Sequence, residues 1–180
     1  MKVYIPETDL NAIGGGHSFL RTFLKYAKKD IALAHSVEDC DVMFIPGPTL
    51  AKKEEVELAK KLEKGIVLRV DNIPEDYRNR GTALSRLKKF SQMADVVVYQ
   101  SIWARDYVMP FTGVDGTVVY NGVDKEIFFN DQDERNRAEN VLYIRSSSNE
   151  NKRWQEAKYY FRKMWLENKN LRFNVVGNFN

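Results

Sequence analysis

Asp95-Val96-Val97-Val98-Tyr99-Gln100-Ser101 sets three β-branched residues in a row between an aspartate and a polar pair. A strand with one wet face alternates polar and apolar residues. This run does not alternate, so it reads as a strand covered on both faces, as in the centre of a parallel sheet. Ser101 follows directly and is placed to cap a short helix over residues 102–109.

Working back toward the N-terminus, strand-like runs lie at 66–70, 41–45, 31–35 and 2–5. Helical patterns at 83–93, 52–64 and 19–29 separate most of them. In the last of these, Leu20, Phe23, Leu24 and Ala27 recur at helical spacing. Gly65 stands where the C-terminal cap of the helix over 52–64 is expected. Downstream, a strand over 117–120 stops at Asn121-Gly122, a tight-turn pair. Strands alternating with helices predict an α/β fold, a Rossmann-like parallel sheet with helices on both faces.

The composition then changes. Residues 130–140 are nearly free of apolar side chains and read as a linker or exposed crossing. A strand at 141–144, a helix at 149–168 and a strand at 171–176 follow. Two domains are expected: 1–135, and 136–180 as a partial second β-α-β unit. A unit of about 40 residues buries its own apolar surface poorly. The helix face carrying Trp154, Ala157, Phe161, Met164 and Trp165 is therefore expected to be covered, by the first domain or by a second copy or partner chain.

With 43% hydrophobic and 29% charged residues, the 180-residue chain has a soluble globular balance. No apolar run approaches the roughly 20 residues that span a bilayer, which leaves peripheral membrane contact open. The apolar start at residues 3–5 is short and runs into Pro6, Glu7 and Asp9, unlike a signal peptide. A lone cysteine, Cys40, fits a reducing compartment, and a cytoplasmic location is expected. The net charge of +3 is dispersed, whereas a nucleic-acid binder concentrates its basic residues on one face. The densest basic group is Arg78, Arg80, Arg86, Lys88 and Lys89. It reads either as a solvated helix face or as a grip for phosphate or carboxylate.

Gly14-Gly15-Gly16 and His17 lie between the first strand and the first helix. Glycines let a backbone approach a ligand closely, and a helix N-terminus suits phosphate. The spacing matches neither the dinucleotide fingerprint nor a Walker A loop. A plain flexible turn is the competing reading, and His17 is equally a surface histidine. Asp71 and Asn72 follow a strand's carboxyl end, where ligands of open α/β sheets bind. They also fit a turn into Pro74.

The string Val118-Val119-Tyr120-Asn121-Gly122-Val123-Asp124, with Phe128 four residues on, resembles the segment closing the N-terminal domain of family-4 glycosyltransferases. Those are retaining enzymes of the two-domain GT-B architecture. Arg69-Val70-Asp71-Asn72 is similar to that family's R-x-D-G string, with Asn72 in place of the glycine. Residues 95–101 resemble its A-D-x-V-V-x-x-S string.

The resemblance implies that Gly14, Gly15 and Gly16 face the donor diphosphate, and that Arg145 and Lys152 hold it from the second domain. Arg145 stands where the family has glycine, so its task is open. His17, Asp71, Asn72, Arg78, Arg80, Gln100 and Asn121 fall on the acceptor side. The implied partners are a nucleotide-sugar and a carbohydrate acceptor, lipid-linked or phosphorylated. No cofactor or metal is expected, and no residue is named as catalytic base. The family's later E-x7-E motif is absent, which implies an incomplete donor domain. The alternative is a non-catalytic binding module, or an acceptor-side subunit that needs a second chain.

Overall fold

Apolar runs bounded by polar turns form strands, and amphipathic segments between them return the chain to the same edge. The computed structural model describes residues 1–6, 9–12, 14–27, 29–75, 81–126, 140–146 and 153–177, with backbone only at 145 and 146. The elements run β1 (Lys2–Tyr4), α1 (Gly15–Ala27), β2 (Ala32–Leu33), β3 (Val42–Ile45), α2 (Lys53–Lys61) and β4 (Gly65–Val70). Then come α3 (Ala83–Met93), β5 (Val96–Tyr99), α4 (Ile102–Thr112) and β6 (Thr117–Val118). Six parallel strands stand in the order β2-β1-β3-β4-β5-β6. The fold is Rossmann-like α/β.

One sheet face carries Met43, Ile45, Ile66, Leu68, Val97 and Tyr99, all buried. They pack with Val56 of α2, Leu87 and Phe90 of α3 and Val108 of α4. Burying a side chain of this size contributes about 1.5–3 kcal/mol relative to leaving it in water. The other face is represented by Phe44, against which Phe23 and Phe19 of α1 sit at 5.0 and 6.3 Å between ring centroids. Residues 96–98 lie in this sheet, but only Val97 is buried and Val96 is 45% exposed, so β5 is not covered on both faces as its composition predicts.

Three local expectations shift. Helix α1 begins at Gly15, so Gly15, Gly16 and His17 form its first turn rather than a loop. Its opening bond runs from Ser18 N–H to the Gly14 carbonyl at 2.9 Å. Gly65 is not a helix cap. It opens β4 opposite Val42, and Glu63 takes the left-handed conformation with φ 54°. Helix α4 continues through Pro110 to Thr112. Ser101 does cap it, its hydroxyl accepting from Ala104 N–H at 3.0 Å.

The chain divides into two compact units, Met1–Ile127 and Phe128–Asn180. In the second, parallel strands β7 (Asn140–Ser146) and β8 (Arg172–Gly177) flank α5 (Trp154–Glu167). Trp154 and Phe161 stack on Phe173 at 6.0 and 4.0 Å, and Tyr143 meets Trp154 at 5.2 Å. Part of the expected apolar helix face is therefore covered by the unit's own strands. Met164 and Trp165 are exposed. Among the described residues, no helix is long and apolar enough to cross a membrane.

Candidate functional site

The strand order reverses direction between β1 and β3. Connections on either side of such a point leave in opposite directions and open a crevice at the strands' carboxyl ends. Segments after five strands gather at this edge of the first unit. They are Gly14–Gly16 after β1, Pro46-Gly47 after β3, Asp71-Asn72 after β4, Gln100 after β5 and Asn121 after β6.

Arg69 ties several of them together. It lies one residue before the end of β4 and is only 5% exposed. Its Nη1 donates to the Pro46 carbonyl at 2.9 Å, and its Nη2 donates to Asn121 Oδ1 at 3.2 Å. Asn121 Nδ2 donates to Gln100 Oε1 at 2.5 Å, and Gln100 Nε2 to the Val70 carbonyl at 2.7 Å. The guanidinium also lies 3.8 Å over the Phe19 ring of α1, a cation–π contact. Thus one buried cation links β3, β4, β6 and α1, and through Asn121 also β5. Burial pushes the Arg69 pKa down, while the nearby Asp71 charge opposes that shift. An arginine keeps its charge under such pressure.

Asp71 stands beside this chain. Its carboxylate lies against two glycines. A methyl group built on Gly47 would come within 2.5 Å of Asp71 Oδ2, and one on Gly16 within 3.1 Å. Gly14 is a glycine for another reason. Its φ of +154° is a conformation that residues with a side chain rarely adopt. Gly15 is exposed, with open space where a Cβ would stand. His17 is half-buried, and its Nδ1 has no hydrogen-bond partner among the described residues.

The structure therefore gathers Gly14, Gly15, Gly16, His17, Asp71, Asn72, Gln100 and Asn121 at one edge of one sheet. Gln100 and Asn121 are hydrogen-bonded to each other. Arg78, Arg80 and Lys152 lie outside the described residues, and so does the side chain of Arg145. Sequence reasoning gave no role to Arg69 or Gly47. A charged residue inside an apolar strand run was the available signal for Arg69 (it costs too much to bury without partners). Gly47 offered none, since Pro-Gly-Pro already explains itself as a turn. Among the described residues, no group of three or more His, Cys, Asp or Glu could hold a metal ion.

Asp124, after β6, fixes the segment that carries Asn121. Its carboxylate accepts from Lys25 Nζ and Tyr26 Oη of α1, each at 2.7 Å, and from Glu126 N–H at 2.9 Å. These donors hold its pKa down to about 2, the Lys25 hydrogen bond contributing most.

No protein-family model matches the chain, and no curated protein matches it by sequence. Solved structures do. A crystal structure of Anabaena HepE in complex with UDP-glucose superposes with a TM-score of 0.53 at 12% identity, covering 98% of this chain and 69% of that one. A second HepE structure, with UDP and glucose, gives 0.50 at 10% identity over 99% and 70%. At such identities the likeness is one of fold.

Proposed function

We propose that this chain serves transfer of a sugar from a nucleotide-sugar donor to an acceptor hydroxyl, with retention, in the manner of family-4 enzymes of GT-B architecture. The observation that carries the reading is the gathering of five post-strand segments at the carboxyl edge of the sheet, three of them linked through the buried Arg69. It is supported by a fold shared with a structure solved with UDP-glucose. In the transfer, the acceptor oxygen bonds to the anomeric carbon and the bond from that carbon to the diphosphate breaks. The acceptor's proton leaves with the departing phosphate.

Roles follow from residue chemistry. Gly14, Gly15 and Gly16 offer backbone N–H groups of a helix N-terminus to the donor diphosphate. Arg145 and Lys152 supply positive charge for the leaving group. His17, Asp71, Asn72, Gln100 and Asn121 serve the acceptor, with Arg78 and Arg80 suited to a phosphorylated one. Residues 136–180 are read as the opening β-α-β unit of a nucleotide-sugar-binding domain.

Calorimetric titration with UDP-, GDP- and ADP-sugars tests this. Gly15→Val is a useful probe because a Cβ there would meet nothing within 4 Å beyond its own helix and chain neighbours. Binding of one donor, weakened by Gly15→Val and by Lys152→Ala, is the expected result. Binding indifferent to both changes would remove these residues from the donor site.

A further inference from the structure

Gly47 has no backbone reason to be glycine. Its φ of −174° and ψ of 146° are extended values that any residue adopts. Gly16 has none either, for it sits in the first turn of α1, where glycine is a poorer helix former than alanine by about 1 kcal/mol. What the two positions share is a neighbour. A Cβ on Gly47 would lie 2.5 to 2.7 Å from three atoms of the Asp71 carboxyl group, and one on Gly16 2.9 Å from Leu50 Cδ1 and 3.1 Å from Asp71 Oδ2. The Gly47 distances are closer than side-chain carbons approach one another, so one partner would have to move.

We infer that Gly16 and Gly47 form a slot that positions the Asp71 carboxylate to accept a hydrogen bond from the sugar hydroxyl that attacks the donor. This rests on the function proposed above. Gly47 is a positioning residue and acts through Asp71. The slot lies between the first turn of α1 and the end of β3, at the switch point itself. Arg69, two residues before Asp71 and packed under the same edge, supplies the nearby positive charge. The carboxylate thus has backbone close on two sides. That confinement suits the orientation of a single hydroxyl.

The test is a double-mutant cycle on the whole chain. Gly47→Ala should lower the thermal unfolding midpoint by about 5 °C, a typical overpacking effect. In an Asp71→Ala background the same change should cost less than about 1 °C, because the space is then vacant. In an Asp71→Asn background the loss should persist, since the amide fills the same volume. Equal losses in all three backgrounds would overturn the slot.

Hydrolysis of whichever UDP-, GDP- or ADP-sugar binds, with water as the attacking hydroxyl, supplies the second measurement. Asp71→Asn should lower kcat about tenfold, the scale of one lost charged hydrogen bond, and leave binding of the nucleotide diphosphate unchanged. Gly47→Ala should follow it in kcat. An unchanged kcat in Asp71→Asn would overturn the role of the carboxylate. Failure of the wild type to bind any of the UDP-, GDP- and ADP-sugars would sink the proposed function and that role together, while the slot would still be decided by the unfolding cycle.

Discussion

The two units use the same device, a strand, a helix and a parallel strand, and end in different physical states. In the first, β4 has partners on both sides and helices on both faces, so Ile66, Leu68, Leu87 and Phe90 are completely buried. In the second, α5 covers one face of a two-stranded sheet, and none of its residues is buried. Leu142, Ile144 and Val176, on the other face, are more than half exposed. The apolar content of the strands is similar. What differs is the number of neighbours, and burial follows the neighbours rather than the sequence of any one element.

A matched pair of truncations tests that contrast most severely. Phe90→Ala should cost about 3–5 kcal/mol, the range for emptying a closed core site. Phe161→Ala, which removes a half-buried ring stacked 4.0 Å from Phe173, should cost about 1 kcal/mol and leave the first unit's unfolding midpoint in place. Urea titrations read by hydrogen exchange separate the units. Comparable losses from both changes would mean that the second unit is as well packed as the first.

Arg69 gives the next largest effect and tests whether the carboxyl edge depends on its internal tie. Arg69→Met keeps the volume and removes two donors, leaving the Pro46 carbonyl and Asn121 Oδ1 without them. About 1–3 kcal/mol should be lost, the rate for one buried acceptor left unsatisfied, since Asn121 is exposed and can turn to water. A stability equal to the wild type would mean that water or Gln100 takes over both acceptors.

Much of this architecture was legible in sequence because its causes are local. Residues 96–98 show a strand in their own composition, though not one covered on both faces, and Ser101 meets a capping need three residues ahead. The switch point was not legible, since strand order is set by which edges meet after folding. Gly47 and Asp71 are far apart in the chain, and only the pairing of β3 with β4 brings them together. Gly65 misled for a local reason. Its chemistry fits a helix cap, yet Glu63 reached the left-handed conformation first and released Gly65 to a close approach to Val42. Of the site, the strand-end positions were readable from sequence, while the arginine beneath them needed coordinates.

A smaller effect sharpens the same point about local causes. Ser101→Ala removes the cap of α4 and should cost about 1 kcal/mol. Ser101→Asp should restore most of it, because a carboxylate accepts the same N–H and complements the helix dipole. Failure of the aspartate to recover stability would argue that the hydroxyl matters for packing rather than for the bond to Ala104.

The smallest effect at neutral pH lies where the first unit ends. Asp124 pins the post-β6 segment to α1 through Lys25 and Tyr26, three residues before the boundary at Ile127. Lys25 is nearly half exposed, so solvent and salt weaken this pair. Its pH dependence still has a definite sign. The folded pKa of Asp124, about 2, lies below the ordinary value of 3.8. Its contribution is therefore fully present above that ordinary value and declines as pH falls through about 2. Asp124→Asn should lose stability at pH 7, with the gap to wild type closing as the pH falls toward about 2. Hydrogen exchange in the 119–126 segment should speed up in the variant while β4 stays protected. If β4 loosens equally, the segment is part of the core's cooperative unit, and the contrast between a packed sheet and a pinned edge fails.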